Sequence, residues 1–120
     1  MAKVLIVDDS PTQLASLKRI VERLGHEAVT AEDGAAGVEL ARREKPDLIL
    51  MDVVMPNLNG FQATRQISRD QETSHIPIIL VTTKDQETDR VWGLRQGAKG
   101  YITKPIDEKE LVKAIQQHLG

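Results

Sequence analysis

The stretch Leu48-Ile49-Leu50-Met51-Asp52 decides the fold of this chain. Four apolar residues run without a break into one carboxylate, and Val53-Val54-Met55-Pro56-Asn57 follows. So short and continuous an apolar run suits a strand buried on both faces, as in the middle of a parallel sheet. Asp52 then stands at the carboxyl end of that strand, the edge where open α/β sheets collect ligands and chemistry. An acid placed there is either a helix cap or a reactive group.

Working outward, two further runs have the same character. Val4-Leu5-Ile6-Val7 reads as a first buried strand, and Ile78-Ile79-Leu80-Val81, introduced by Pro77 and ending in Thr82-Thr83, as another. Glu27-Ala28-Val29-Thr30 and Gly100-Tyr101-Ile102-Thr103 are mixed and suit the two sheet edges. Helices fall between. Ser10 caps the first, with Pro11 at its first position and Leu14, Leu17, Ile20, Val21 and Leu24 on one stripe. Gly25 stops it. Asp33 caps a second helix through about Arg43, with Val38 and Ala41 inward. Phe61, Thr64 and Ile67 mark a third. A fourth, opened by Asp85, carries Val91 and Leu94 as its apolar stripe and ends at Gly97. Asp107 with Glu110 resembles a capping box for the last, which buries Leu111, Ile115 and Leu119 before Gly120 closes the chain.

Five strands alternating with five helices predict an α/β, flavodoxin-like (βα)5 architecture: one parallel five-stranded sheet with helices on both faces. Right-handed crossovers, with the three apolar strands central, favour the order 2-1-3-4-5. The 120 residues are expected to form a single domain spanning 1–120. Hydrophobic residues make up 40% and charged residues 28%, the balance of an ordinary globular protein. A net charge of −2 predicts attraction to neither nucleic acid nor a membrane surface. The absence of cysteine excludes disulfide and thiol chemistry. No apolar run is long enough to span a bilayer, and Met1-Ala2-Lys3 leads straight into a strand. A cytoplasmic protein without signal peptide is the expectation.

Five polar groups converge on the carboxyl edge of such a sheet: Asp8 and Asp9 after the first strand, Asp52 after the third, Thr82 after the fourth and Lys104 after the fifth. Each alone has an ordinary reading as a cap, a local hydrogen bond or a solvated charge. Together they do not. Three crowded carboxylates repel, burial raises their pKa values, and a cation is needed to hold them ionised. Oxygen ligands without His or Cys indicate a hard ion, Mg²⁺ or Mn²⁺.

Asp8-Asp9, Met51-Asp52, Val81-Thr82 and Lys104-Pro105, in this order and spacing over the whole chain, resemble the receiver domains of bacterial two-component response regulators. The likeness is greatest to stand-alone, chemotaxis-type receivers. Gly60-Phe61-Gln62-Ala63-Thr64-Arg65 and Thr82-Thr83-Lys84-Asp85-Gln86-Glu87-Thr88 look like the type that serves twitching motility with type IV pili.

The resemblance implies that Asp52 is the phosphoacceptor for a histidine kinase. It implies that Asp8, Asp9, Asp52 and the Val54 carbonyl hold Mg²⁺, and that Lys104 and Thr82 bind the phosphoryl oxygens. Thr82 and Tyr101 would form the switch, with Tyr101 filling space that Thr82 vacates, and a cis Lys104-Pro105 peptide is expected. Such a protein catalyses only its own phosphorylation and dephosphorylation. Val54 and Lys84 depart from commoner receivers, with Val where polar residues often stand and Lys where Glu is common. Both positions flank the hydrolytic water, so the phosphoryl lifetime does not transfer from relatives.

Trp92 sits one residue off the Val91/Leu94 stripe, which argues for partial exposure and a partner contact. The downstream protein is expected on the fourth helix, fifth strand and fifth helix, and a monomer is expected. His26, His75 and His118 read as solvated, and Lys18, Arg19 and Arg23 as a solvated helix face. A flavodoxin-type cofactor binder is disfavoured because Asp8-Asp9 would repel a flavin phosphate. An aspartate-nucleophile phosphatase is disfavoured because Val54 occupies the place of its second Asp. The start at Met1 and the lack of a linker favour a stand-alone protein over the receiver of a DNA-binding regulator; a phosphate sink without its own output is the other alternative.

Overall fold

Side chains alternate between the two faces of a strand, so an unbroken apolar run needs a cover on both sides. A computed structural model describes residues 1–119 and supplies both covers; Gly120 lies outside the described residues. The elements are β1 (Lys3–Val7), α1 (Pro11–Arg23), β2 (Glu27–Ala31), α2 (Gly34–Glu44), β3 (Leu48–Met51), α3 (Gly60–Arg69), β4 (Ile78–Thr82), α4 (Glu87–Gln96), β5 (Gly100–Thr103) and α5 (Glu108–Leu119). The strands pair in parallel in the order 2-1-3-4-5, with the three fully apolar runs central and the mixed strands at the edges. The flavodoxin-like architecture expected from sequence is the observed one.

The alternation splits the apolar runs between two cores. Leu5, Val7, Ile49, Met51, Ile78 and Leu80 face Val38 and Ala41 of α2 and Ala63 and Ile67 of α3. Val4, Ile6, Leu48, Leu50, Ile79 and Val81 face Leu14, Leu17 and Val21 of α1 and Leu111 and Ile115 of α5. Each large aliphatic side chain fully buried in this way contributes roughly 1.5–3 kcal/mol. Leu119 is only partly buried against the second core.

Caps account for most helix starts. Ser10 Oγ accepts from Gln13 N at 3.3 Å, and Asp33 Oδ1 accepts from Ala36 N at 2.7 Å. The reciprocal box falls on α3, where Asn59 Oδ1 accepts from Gln62 N and Gln62 Oε1 from Asn59 N, both at 2.9 Å. Asn59-x-x-Gln62 is the signal that could have revealed it. At α5, Asp107 Oδ1 accepts from Lys109 N at 3.0 Å, a single-sided cap one residue short of Glu110.

The fourth helix departs from expectation. It begins at Glu87, with Gln86 rather than Asp85 at its cap. Its supposed buried stripe is exposed: Val91 by 41% and Leu94 by 37%, beside Trp92 at 49%. The buried residue is Gly93. A Cβ there would lie 2.7 Å from Leu80 Cδ1 and 3.3 Å from the Tyr101 ring, so the helix backbone rests directly on the sheet. With Gly93 inward, a helix turning about 100° per residue points positions 91, 92 and 94 away from the core.

Gly60 sets the entry of α3 by a still closer approach. A Cβ at this position would collide with the Asp52 carbonyl oxygen and lie 2.7 Å from Val53 Cα, while Gly60 N donates to Val53 O at 2.9 Å. Backbone cannot yield as a side-chain tip can. Gly60→Ala should therefore destabilise the protein by about 1–3 kcal/mol in urea unfolding, the usual cost of overpacking. An unchanged midpoint would show that the loop after Asp52 is free to move.

Candidate functional site

The strand register assembles the site. Val7 pairs with Met51, and Asp52 N donates to Val7 O at 2.9 Å, so Asp8 and Asp52 leave neighbouring strands side by side. Asp8 and Asp52 are buried and Asp9 is exposed. The three offer carboxylate oxygens that all lie within 4.8 Å of one another. Asp8 does two jobs: its Oδ1 accepts from Ser10 N at 2.9 Å at the entry of α1, and its Oδ2 accepts from Lys104 Nζ at 2.8 Å.

Lys104 reaches the cluster from the end of β5. Its backbone N donates to Thr82 O at 2.8 Å, and the Lys104-Pro105 peptide is cis, as expected. Its ammonium stands 3.8 Å from Asp52 Oδ2. The cation that the crowded acids require is therefore supplied in part by the chain itself. One ammonium against three carboxylates leaves negative charge in surplus, and the ligand atoms are all hard oxygens. The site fits Mg²⁺ or Mn²⁺.

Asp52 Oδ1 accepts from Val53 N at 2.8 Å and from Val54 N at 3.4 Å, which fixes the carboxylate plane and leaves Oδ2 toward Lys104. Burial pushes the Asp52 carboxyl above the ordinary carboxylate range. Lys104 opposes that rise, Asp8 adds to it, and the two backbone N–H groups oppose it. Val54 is 54% exposed at the mouth of the site.

Thr82 ends β4 fully buried, and its Oγ1 accepts from Lys84 N at 3.3 Å. Leu80 pairs with Tyr101 across β4 and β5, so Thr82, two residues beyond Leu80, shares the face of Tyr101. The Tyr101 hydroxyl donates to Lys84 O at 2.8 Å. Burial, with Asp89, Asp52 and Asp85 adding, pushes that hydroxyl up to about 12, so it remains a donor throughout the physiological range. Both residues of the expected switch thus meet on the backbone of Lys84. The sequence drew attention to Lys84 only for its side chain, whose Nζ lies 3.8 Å from Asp89 Oδ1. Backbone bonds leave no residue-type signal. Val53, Val54, Met55, Asn59, Phe61 and Lys84 also line a cavity of about 230 Å³ beside the acid cluster. Phe61 reads from sequence only as core, which it also is.

Other polar residues lie elsewhere. His26 Nδ1 accepts from Ala2 N at 3.1 Å, tying the starts of β1 and β2, so this histidine is a structural partner and not merely solvated. His75 is exposed and His118 partly buried, both outside the site. Lys18 and Arg19 are exposed, whereas Arg23 pairs with Glu108 of α5 at 3.3 Å. Among the described residues no helix is long and apolar enough to cross a membrane.

Comparison with known proteins agrees with this geometry. The profile of the response regulator receiver domain matches residues 4–116. Protein PilH of Pseudomonas aeruginosa is 64% identical over 100% of this chain and 99% of its own length. PhoP of Bacillus subtilis, an alkaline phosphatase synthesis transcriptional regulatory protein, is 41% identical over 94% of this chain but only 48% of its own. Among solved structures, chemotaxis protein CheY4 of Vibrio cholerae superposes with a TM-score of 0.92 at 32% identity, covering 99% of each chain. The receiver domain of the P. aeruginosa sensor histidine kinase PA1611, which holds a magnesium ion in its active-site cleft, superposes at 0.91 with 32% identity, covering 99% of this chain and 98% of that one.

The raised Asp52 carboxyl has a sign that can be checked. A carboxyl whose pKa is raised on folding favours the fold when protonated and opposes it when ionised. The penalty is absent below the ordinary value of 3.8, grows as pH rises toward the raised folded value, and is full above it. In chelator at neutral pH, Asp52→Asn should therefore melt higher than the parent. The difference should shrink as pH falls toward 4. A variant that melts lower at neutral pH would show that the Asp52 charge is stabilising.

Proposed function

The chain belongs to the response regulator receiver family, and on that premise we propose that Asp52 accepts a phosphoryl group from the phosphohistidine of a histidine kinase. The observation that carries this reading is the buried Asp52, with Oδ1 anchored by backbone and Oδ2 facing Lys104 within a trio of carboxylates. Asp52 Oδ2 attacks phosphorus in line, a P–O bond forms as the P–N bond breaks, and the imidazole leaves with the bonding pair and takes up a proton. Asp8, Asp9, Asp52 and the Val54 carbonyl would hold Mg²⁺, with Mn²⁺ as a substitute. When bound, the metal offsets the charge of the transferred phosphoryl group. Support for that assignment comes from the all-oxygen ligand set here and from the magnesium in the related PA1611 receiver domain.

Lys104 turns from Asp8 and Asp52 to a phosphoryl oxygen, a small movement for an ammonium already at the cluster edge. Thr82 exchanges its acceptor role toward Lys84 N for a donor role toward another phosphoryl oxygen. Lys84 remains tied to the Tyr101 hydroxyl through its carbonyl. Phosphorylation thereby moves the loop before α4, a local charge event read by a two-state element. Val54 and Lys84 set the lifetime of the aspartyl phosphate. The domain works in the cytoplasm on its own phosphoryl group rather than on a turned-over substrate.

The output face is α4, β5 and α5. Val91, Trp92 and Leu94 are exposed there on a helix seated by a glycine, a patch that suits a protein partner. The 64% identity to PilH, with the segments around Gly60 and Thr82, favours signalling to type IV pili in twitching motility. The protein acts as a monomer and binds neither nucleic acid nor membrane.

Incubation with Mg²⁺ and acetyl phosphate should add one phosphoryl group, mapped by peptide mass to Asp52. Asp52→Asn or chelation should abolish it, and label on another residue would overturn the mechanism. Trp92 fluorescence should change when Asp52 is phosphorylated, and Trp92→Ala should weaken binding of the cognate partner while phosphotransfer continues. Undiminished binding by Trp92→Ala would remove Trp92 from the interface.

A further inference from the structure

The groove between α2 and α3 lies apart from the acid cluster and from the α4–β5–α5 face. It encloses about 680 Å³ and is lined by Arg42, Leu58, Arg65, Gln66, Arg69 and Asp70, among others. Three guanidiniums and one carboxylate share it, on a chain whose net charge is −2. The carboxylate is already satisfied. Asp70 Oδ2 accepts from Arg42 Nε at 2.8 Å, and Oδ1 accepts from Glu72 N at 2.9 Å. Among the described residues, no carboxylate lies within ion-pair distance of Arg65 or Arg69.

Arg65 and Arg69 are four residues apart in α3, so they project from one face about 6 Å apart along the axis. Leu58, partly buried against the first core, offers an apolar floor beside them. Two unpaired guanidiniums at one-turn spacing over an aliphatic contact are complementary to carboxylates at the same spacing on another helix. Guanidinium is the group best suited to bind carboxylates through paired N–H donors.

We propose that the α2/α3 groove docks an acidic amphipathic helix of a partner protein, with carboxylates one turn apart on Arg65 and Arg69 and an aliphatic side chain against Leu58. Nucleic acid is the poorer occupant: the groove has no aromatic ring on which a base could stack, and the overall charge is negative. None of the three arginines belongs to the acid cluster, so this docking and the phosphoacceptor role of Asp52 can fail separately.

The test is an NMR titration of the isotope-labelled full chain with a synthetic helical peptide carrying Glu at positions i and i+4 and Leu between them. Amide shifts should be confined to α2, α3 and the Leu58 loop. Affinity should fall about tenfold when the Glu residues become Gln, or when the protein carries Arg65→Glu with Arg69→Glu. A peptide with Lys at both positions should restore binding to that double variant. Acetyl phosphate labelling of Asp52 in the double variant should match the parent, which shows that the variant is folded. Shifts on another face, failure of the Lys peptide to rescue, or tighter binding of a single-stranded oligonucleotide at the groove would each overturn the proposal.

Discussion

Everything at the carboxyl edge of this sheet depends on the ion pair between Lys104 and Asp8. Both groups are nearly sealed from water, and their nitrogen and oxygen stand 2.8 Å apart. Removing one partner of such a pair leaves the other as an uncompensated buried charge, a loss of about 3–5 kcal/mol. The pair ties β5 to β1 over the ends of β3 and β4, between residues 96 apart in sequence. It also holds Asp8 in the orientation that accepts from Ser10 N at the entry of α1. Asp52, between the two strands, receives only the remainder of the ammonium's field at 3.8 Å, and its carboxyl rises accordingly. The candidate nucleophile is thus the least compensated buried acid in the cluster.

That arrangement needs a rigid floor. β1, β3 and β4 are apolar on both faces and close-packed from either side, so their carboxyl ends cannot drift relative to one another. Gly60 adds a second constraint by bringing α3 onto the backbone of Asp52 and Val53. Between them, sheet and helix leave the Asp52 carboxylate little freedom beyond its torsions, and two backbone N–H groups limit those.

The far side of the site is built differently. α4 rests on β4 and β5 through Gly93 and turns Val91, Trp92 and Leu94 outward. Its attachment to the site is the short segment at Lys84, whose N–H meets Thr82 and whose carbonyl meets Tyr101. An element held by so little buried apolar surface is drawn from the low-stability end of a structure. A fixed acid cluster is thus joined to a lightly held helix through one short backbone segment. The α2/α3 side, by contrast, carries its charge in a groove braced by the Arg42–Asp70 pair, and it does not share the Lys84 connection.

The sequence alone determined the sheet order, the central and edge strands, and the convergence of Asp8, Asp9, Asp52, Thr82 and Lys104. Apolar runs that end in polar residues encode those features locally: a run such as Leu48–Met51 requires cover on both faces, and whatever follows it must emerge at the edge. Caps at Ser10 and Asp33 were legible for the same reason, since each is a bond within one turn. Tertiary structure decided what depends on which surface faces which. Val91 and Leu94 have the composition of a buried stripe, yet the close seat of Gly93 on Leu80 and Tyr101 turns them to solvent. Lys104 could be read as a ligand for a phosphoryl group, but only packing shows that it neutralises Asp8. His26 became a partner of Ala2, and Lys84 the meeting point of Thr82 and Tyr101, through backbone atoms that every residue possesses. Residue type sets what a side chain can do and, through periodicity, which way a strand faces. The relative placement of separate elements sets which partner it meets, and no local pattern carries that information.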